Sequence, residues 1–90
     1  MIDYGKALRC VRALKDLRQE VLAKRAQISD NYVSQIEHGK RVPSMEVIEQ
    51  LAKACNVPTW ALVVLGSDDA PKAVQAAAVM AVIEKRKGST

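Results

Sequence analysis

The stretch QEVLAKRAQISDNYVSQIEHG, residues 19–39, decides the fold of this chain. Its apolar residues recur at helical spacing and predict two short helices joined by a turn of three or four residues. Helices joined by so short a turn must cross steeply, so a small residue is needed where they touch. Ala23 is that residue in the first helix. Ile28 fills the turn, while Val33 and Ile36 anchor the second helix to the core.

The second of these helices leaves four short polar residues along its outer side. They are Asp30, Asn31, Ser34 and Gln35, with no Lys or Glu among them. A helix face that is merely solvated is usually rich in Lys and Glu, so this composition favours a face that hydrogen-bonds to a partner. The alternative interpretation is an ordinary exposed helix face.

Helical spacing recurs along the rest of the chain, and no alternating run or Asn-Gly turn predicts a strand. The other predicted helices cover about residues 3–15, 44–55, 60–65 and 71–87. Ser29 and Ser44 are good N-caps, and Gly39 and Asn56 can end helices in the left-handed region. We therefore predict an all-α fold, with five helices in residues 1–66 and a linker plus a C-terminal helix in residues 67–90.

The composition is that of a small globular protein. Ninety residues, 49% hydrophobic and 27% charged, allow one domain with a modest core. The net charge of +4 suits an anionic partner, and residues 6–25 hold seven basic residues against two acidic ones. Cys10 and Cys55 lie in helical patterns with no signal peptide or membrane span ahead of them. We therefore expect reduced thiols, a cytoplasmic location and no membrane.

The sequence contains no arrangement typical of an enzyme or a metal site. His38 has no cysteines or carboxylates at ligand spacing, so we expect no metal. No Ser/His/Asp order, Gly-rich phosphate loop or recognisable carboxylate pair is present, so we expect neither catalysis nor a cofactor.

Residues 19–39 resemble the helix-turn-helix of the lambda-repressor/Cro-like family, also called the XRE family. The residues that carry the resemblance are Gln19, Leu22, Ala23, Val33, Ile36, Glu37 and Gly39, then Pro43, Ser44, Leu51, Ala52 and Val57, and before them Gly5, Leu8 and Arg12. The resemblance covers about residues 4–66, and it is specific because many positions agree in register. It implies the fold of a DNA-binding domain and a function in transcription regulation, for instance as a repressor.

The resemblance also implies roles for individual residues. Gln19 resembles a glutamine that binds a phosphate at the start of the first helix of the helix-turn-helix. Ser29, at the start of its second helix, the recognition helix, is also assigned to the DNA backbone. The polar face formed by Asp30, Asn31, Ser34 and Gln35 falls where the family reads base edges in the major groove. Asn and Gln side chains can pair bidentately with adenine. Arg12 and Glu37 match an ion pair that ties the N-terminal helix, residues 3–15, to the end of the recognition helix.

Three of these assignments have alternatives. Gln19 either binds a phosphate or is a plain neighbour of the helix cap. Asp30 either serves the dipole at the start of its helix and repels phosphate, or it accepts a hydrogen bond from cytosine. Lys40 and Arg41, in the loop after the recognition helix, are either phosphate-binding residues of the DNA backbone interface or solvated loop charges.

Three positions depart from the family pattern. Gln27 stands at a turn position that often holds Gly, so it must adopt a positive φ or the turn must differ slightly. Asp16 replaces the usual Gly between the first two helices, and Asp tolerates that geometry better than most residues. Arg18 stands where the cap of the second helix is often Ser or Thr.

One recognition helix covers only a few base pairs, so we expect a homodimer on a palindromic operator in double-stranded DNA. We assign dimerisation to the Ala- and Val-rich C-terminal helix and to Trp60. The predicted interface residues are Trp60, Val74, Ala78, Val79, Val82 and Ile83. The alternative is that this helix folds back on its own domain beside Trp60. Lys85, Arg86 and Lys87 would favour the helix dipole at its end and touch the phosphate backbone.

A function of another class also fits the sequence. The apolar C-terminal helix would let the chain act as a protein-interaction module or an antitoxin-type subunit that binds a protein partner. Phage repressors, antitoxins and restriction-modification controller proteins all use such short chains, and the sequence does not choose among them.

Overall fold

The structure, a computed structural model, describes residues 1–84 and contains six helices and no strand in that range. The helices are α1 (Tyr4–Lys15), α2 (Gln19–Ala26), α3 (Asp30–Glu37), α4 (Met45–Cys55), α5 (Thr59–Gly66) and α6 (Lys72–Glu84). This order confirms the predicted all-α fold, in which five helices are followed by a C-terminal sixth. The predictions for Lys85, Arg86 and Lys87 lie outside the described residues.

Side-chain caps fix where three of the helices begin. The carboxylate of Asp3 accepts a hydrogen bond from the Lys6 amide at 3.0 Å, and the hydroxyl of Ser29 accepts one from the Tyr32 amide at 3.0 Å. Ser44 caps α4 in the same way. Each cap satisfies an amide that the helix itself leaves unpaired, so these starting points are set locally by sequence.

Left-handed residues end α1, α2 and α4. Asp16, Gln27 and Asn56 have φ values of 52°, 62° and 59°, and Gly39 after α3 has φ 74°. Asp and Asn tolerate this region, whereas a longer side chain such as Gln is strained there by about 1 kcal/mol. Gln27 therefore adopts the positive φ that the family turn requires, at a cost in backbone strain.

The core lies between α1 and the helices that surround it. α1 packs against α3, α5 and α6, and α2 packs against α3 and α4. The largest side chains in the core are Leu8, Leu22, Ile36, Leu51 and Leu62, none of them more than 1% exposed. Aliphatic residues from five different helices thus supply the packing in a chain without Phe.

Helix α6 folds back onto its own domain, against α5 and α1. Ala78 and Val82 are fully buried there, so the prediction that these two residues contact a second copy is wrong. Their spacing marks an apolar face correctly, but spacing alone does not tell whether the same chain or another chain covers that face. Val74 and Ile83 remain 40% and 37% exposed, and Val79 is half-buried.

Trp60 is 48% exposed on α5 and lies outside the core. Both cysteines are free. Burial raises the pKa of the Cys55 thiol to about 11, which keeps it protonated and unreactive at neutral pH. Within residues 1–84, no helix is long and apolar enough to cross a membrane.

Replacing Val82 by Ala should lower the free energy of unfolding by about 2 kcal/mol, because two buried methyl groups leave a cavity between α6, α5 and α1. The matched variant Val42→Ala, at a valine that is 84% exposed in the loop before α4, should change it by less than about 0.5 kcal/mol. Urea denaturation followed by far-UV circular dichroism measures both values. Equal effects would contradict the docking of α6 on the domain.

Candidate nucleic-acid interface

Helices α2 and α3 cross closely, as the sequence predicts. Ala23 is fully buried at the crossing, and Val33 and Ile36 anchor α3 in the core. The amide of Ile28 donates to the carbonyl of Ala23 at 3.0 Å, which closes the turn after α2. Because Ala has no side chain beyond Cβ, it permits a close approach of the two helices.

The predicted polar face lies along the outer side of α3. Asp30 and Asn31 are exposed, whereas Ser34 and Gln35 are half-buried. The Ser34 hydroxyl is 3.3 Å from Nδ1 of His38, and that same nitrogen is 2.8 Å from the Ser34 carbonyl oxygen. The structure therefore brings all four predicted residues to one face, with Ser34 and Gln35 partly engaged by neighbouring side chains.

Arg41 is a loop residue, but its side chain packs against α3. Its guanidinium carbon is 5.0 Å from the centre of the Tyr32 ring, and its Nε donates to Oε1 of Gln35 at 3.2 Å. A cation over an aromatic face is attracted by the ring quadrupole. The contact of Tyr32 with Arg41 was not predicted from the sequence, since only the path of the loop brings Arg41 back to it.

The residues predicted to contact the DNA backbone border this face. Lys40 and Arg41 are exposed just beyond α3, and Ser29 caps its first turn. Gln19 is half-buried at the start of α2, and its Nε2 donates to Oε1 of Glu37 at 3.3 Å. One of the two amide hydrogens of Gln19 is therefore used inside the protein. Arg18 makes no side-chain cap, which leaves the first-turn amides of α2 without a side-chain acceptor.

The predicted ion pair between Arg12 and Glu37 is confirmed. Glu37 is 4% exposed and is the only buried charged residue within residues 1–84. Arg12 binds both of its carboxylate oxygens, at 2.7 Å through Nε and 2.9 Å through a terminal nitrogen. The hydrogen bond to Glu37 raises the pKa of Arg12 above its usual value, so the guanidinium stays charged at any physiological pH.

Arg12 and Glu37 also hold three segments together. A further nitrogen of Arg12 donates to the carbonyl of Leu17 at 3.0 Å, which fixes the turn between α1 and α2. The Glu37 main-chain carbonyl accepts from Arg9, which satisfies one of the orphan carbonyls at the end of α3. The contact of Arg9 was not predicted from the sequence, although its position three residues before Arg12 puts it on the same face of α1.

Gly5 allows α3 to end directly on α1. A Cβ at this position would lie 2.5 Å from the carbonyl oxygen of Ile36 and 2.9 Å from that of Glu37. Both neighbours are backbone atoms that cannot move aside without displacing α3. Gly5 is therefore needed for the position of α3.

The part of the chain that the structure describes contains no group of three or more His, Cys, Asp or Glu residues able to hold a metal ion. Short polar side chains occupy a convex helix face, with cations beyond one end of it.

Comparisons with known proteins agree with this geometry. The family profile described as Helix-turn-helix (HTH_3) matches residues 7–59. An uncharacterized HTH-type transcriptional regulator of Mycobacterium tuberculosis, strain H37Rv, is 39% identical over 60 residues, which are 67% of this chain and 43% of that protein. Uncharacterized HTH-type transcriptional regulator YazB of Bacillus subtilis is 37% identical over 54 residues, 60% of this chain and 78% of YazB. The chain thus spans less than half of the mycobacterial relative, and no solved structure matches it significantly.

Removing the Arg12 side chain should lower the free energy of unfolding by about 3 kcal/mol, because the buried carboxylate of Glu37 loses its counter-charge. Arg18→Ala is the matched control, since Arg18 is exposed and makes no cap. It should change the free energy by less than about 0.5 kcal/mol. Thermal and urea denaturation of both variants measure this. An Arg12→Ala protein as stable as the control would contradict the role given to the pair.

Proposed function

Because the chain belongs to the Helix-turn-helix family HTH_3 of DNA-binding transcription regulators, we propose that it binds a specific double-stranded DNA operator with α3 in the major groove. The outer face of α3 carries this proposal. It presents Asp30, Asn31, Ser34 and Gln35, and the helix beneath them is held by the buried carboxylate of Glu37. The protein would act in the cytoplasm, on chromosomal or phage DNA.

Base edges are read by the side chains of this face. Asn31, Ser34 and Gln35 offer amide and hydroxyl groups, which match the donor and acceptor pattern of the major groove. Asp30 lies in the first turn of α3, where its charge favours the helix dipole. It either accepts from the amino group of a cytosine or repels non-cognate DNA, and Asp30→Asn separates these two roles by its effect on discrimination.

DNA phosphates are held at the two ends of the helix pair. The second amide hydrogen of Gln19 and the uncapped first-turn amides of α2 form one group of donors. The Ser29 hydroxyl accepts within the protein, so its own hydrogen is able to donate to a phosphate. Lys40 and the terminal nitrogens of Arg41 supply positive charge beyond the other end of α3. These contacts position α3 and carry no sequence information themselves.

A homodimer on a palindromic operator is the second part of the proposal. The apolar composition of α6 continues on its outer side, where Ala73, Ala76, Ala77, Met80 and Ile83 recur at helical spacing. Met80 is 53% exposed, and no charged residue lies on α6 between Lys72 and Glu84. A helix that is hydrophobic all round is normally covered on all sides.

We assign the dimer contact to this outer side of α6 together with Val74 and Trp60, in place of the buried Ala78 and Val82. The small residues let two copies of the helix approach closely. Val79 lines a groove between α1, α5 and α6, at the margin of the same surface. A protein partner of the kind an antitoxin-type subunit binds would use this surface too, and the test below separates the two.

Asn31→Ala should weaken binding to the cognate site by about 1–3 kcal/mol and relax the preference at one base position. Selection of bound fragments from random DNA gives the motif, and fluorescence anisotropy gives the affinities. Gln50→Ala, an exposed change on α4, is the control and should leave both unchanged. A motif equally sharp in Asn31→Ala would place base reading away from this residue.

Met80→Glu should raise the dimer dissociation constant by at least about tenfold, because each copy would bring a charge into an apolar contact. Met45→Glu is a matched control, since Met45 is 56% exposed on α4. Sedimentation equilibrium at micromolar concentrations measures both variants. A Met80→Glu protein that stays dimeric would contradict the assigned surface. A monomeric wild type that copurifies with a second polypeptide would favour the partner protein.

A further inference from the structure

The side chains of Gln35 and Arg41 form one unit on the proposed DNA-binding face. Arg41 lies across the Tyr32 ring and donates from Nε to Oε1 of Gln35. Tyr32 and Gln35 are three residues apart on α3, so the ring and the amide lie side by side on one helix face. The guanidinium is therefore held by two neighbours at once, in a fixed orientation relative to the amide.

Donor and acceptor chemistry fixes which way the Gln35 amide points. A guanidinium has five N–H donors and no acceptor, so only the oxygen of Gln35 can face Arg41. The NH₂ group of Gln35 must then point away from Arg41. The terminal nitrogens of Arg41 add further donors beside it. The unit consequently presents N–H donors to its surroundings. Its best acceptor, Oε1 of Gln35, already accepts a hydrogen bond from the charged Arg41.

We propose that the Gln35–Arg41 unit selects a guanine, with Arg41 as the residue that sets this preference. The inference rests on the proposed DNA-binding function. In the major groove guanine presents two acceptors, N7 and O6, which fit a surface of donors. Adenine presents one acceptor and an amino donor. Bidentate pairing with adenine would need Oε1 of Gln35 to accept from that amino group, next to the cation of Arg41.

This reverses the expectation from residue type alone. An isolated glutamine pairs well with adenine because it offers one donor and one acceptor side by side. Here the second side chain changes what the glutamine offers. Arg41 thus contributes more than a phosphate contact, the role that its place in a basic loop predicts.

One substitution separates the orientation of the Gln35 amide from the positive charge beside it. Arg41→Lys keeps the positive charge, but it removes the planar group that lies over Tyr32 and donates to Gln35. The amide of Gln35 is then free to turn and to offer its oxygen. Lys40→Ala is the complementary control, since it removes a neighbouring charge and leaves Arg41 in place. Equal thermal midpoints of both variants and the wild type show that the fold is retained.

The test begins with selection from random DNA for the wild type, Gln35→Ala, Arg41→Lys and Lys40→Ala. The position whose preference disappears in Gln35→Ala should be guanine for the wild type, and Arg41→Lys should shift it towards adenine. Lys40→Ala should weaken binding to all sequences alike and keep the guanine. Replacing that guanine by 7-deazaguanine, which lacks the N7 acceptor, should weaken wild-type binding about tenfold. Inosine has the same major-groove edge as guanine and should bind normally.

Two results would overturn the inference while leaving the proposed function intact. One is a wild-type motif with adenine, thymine or cytosine at the Gln35-dependent position. The other is a guanine preference that Arg41→Lys does not change. A wild-type protein that binds no DNA in low salt would overturn the proposed function, and this inference with it.

Discussion

A single buried carboxylate, that of Glu37, connects the three helices on which DNA recognition would depend. Arg12 reaches it from α1 with two hydrogen bonds, and Gln19 reaches it from the start of α2 with a third. Glu37 is itself the last residue of α3. A buried charge is tolerated only when it is paired and hydrogen-bonded, so the three helices must keep the arrangement that satisfies it. The orientation of α3 is thus set by electrostatics as well as by packing.

Packing around this carboxylate restricts α3 further. Gly5 brings the backbone of α1 against the last carbonyl groups of α3, and Arg9 donates to one of them. The side chains on the outer face of α3 therefore project from a helix whose far end cannot slide. Pre-organised donors and acceptors lose little entropy when a ligand arrives, which favours selective binding.

Local signals made most of the fold predictable, and non-local contacts account for what the sequence did not reveal. Ser29, Ser44 and Asn56 act on neighbouring residues, so their caps could be predicted from residue type. The apolar row of α6 was also recognised, but whether it meets its own domain depends on a turn whose path no spacing encodes. The contact of Arg41 with Tyr32 has the same origin, because a loop of irregular backbone brings the two together.

The burial of Ala78 and Val82 has a consequence for where this domain ends. The family profile stops at residue 59, yet the core that it describes is closed by side chains some twenty residues further on. The stretch matched by the family profile is therefore shorter than the stretch that supplies the core. A fusion protein or a minimal fragment cut after α5 would carry an open apolar seam along α1 and α5, and such a seam promotes aggregation. Any transplant of this helix-turn-helix into another protein has to take α6 with it.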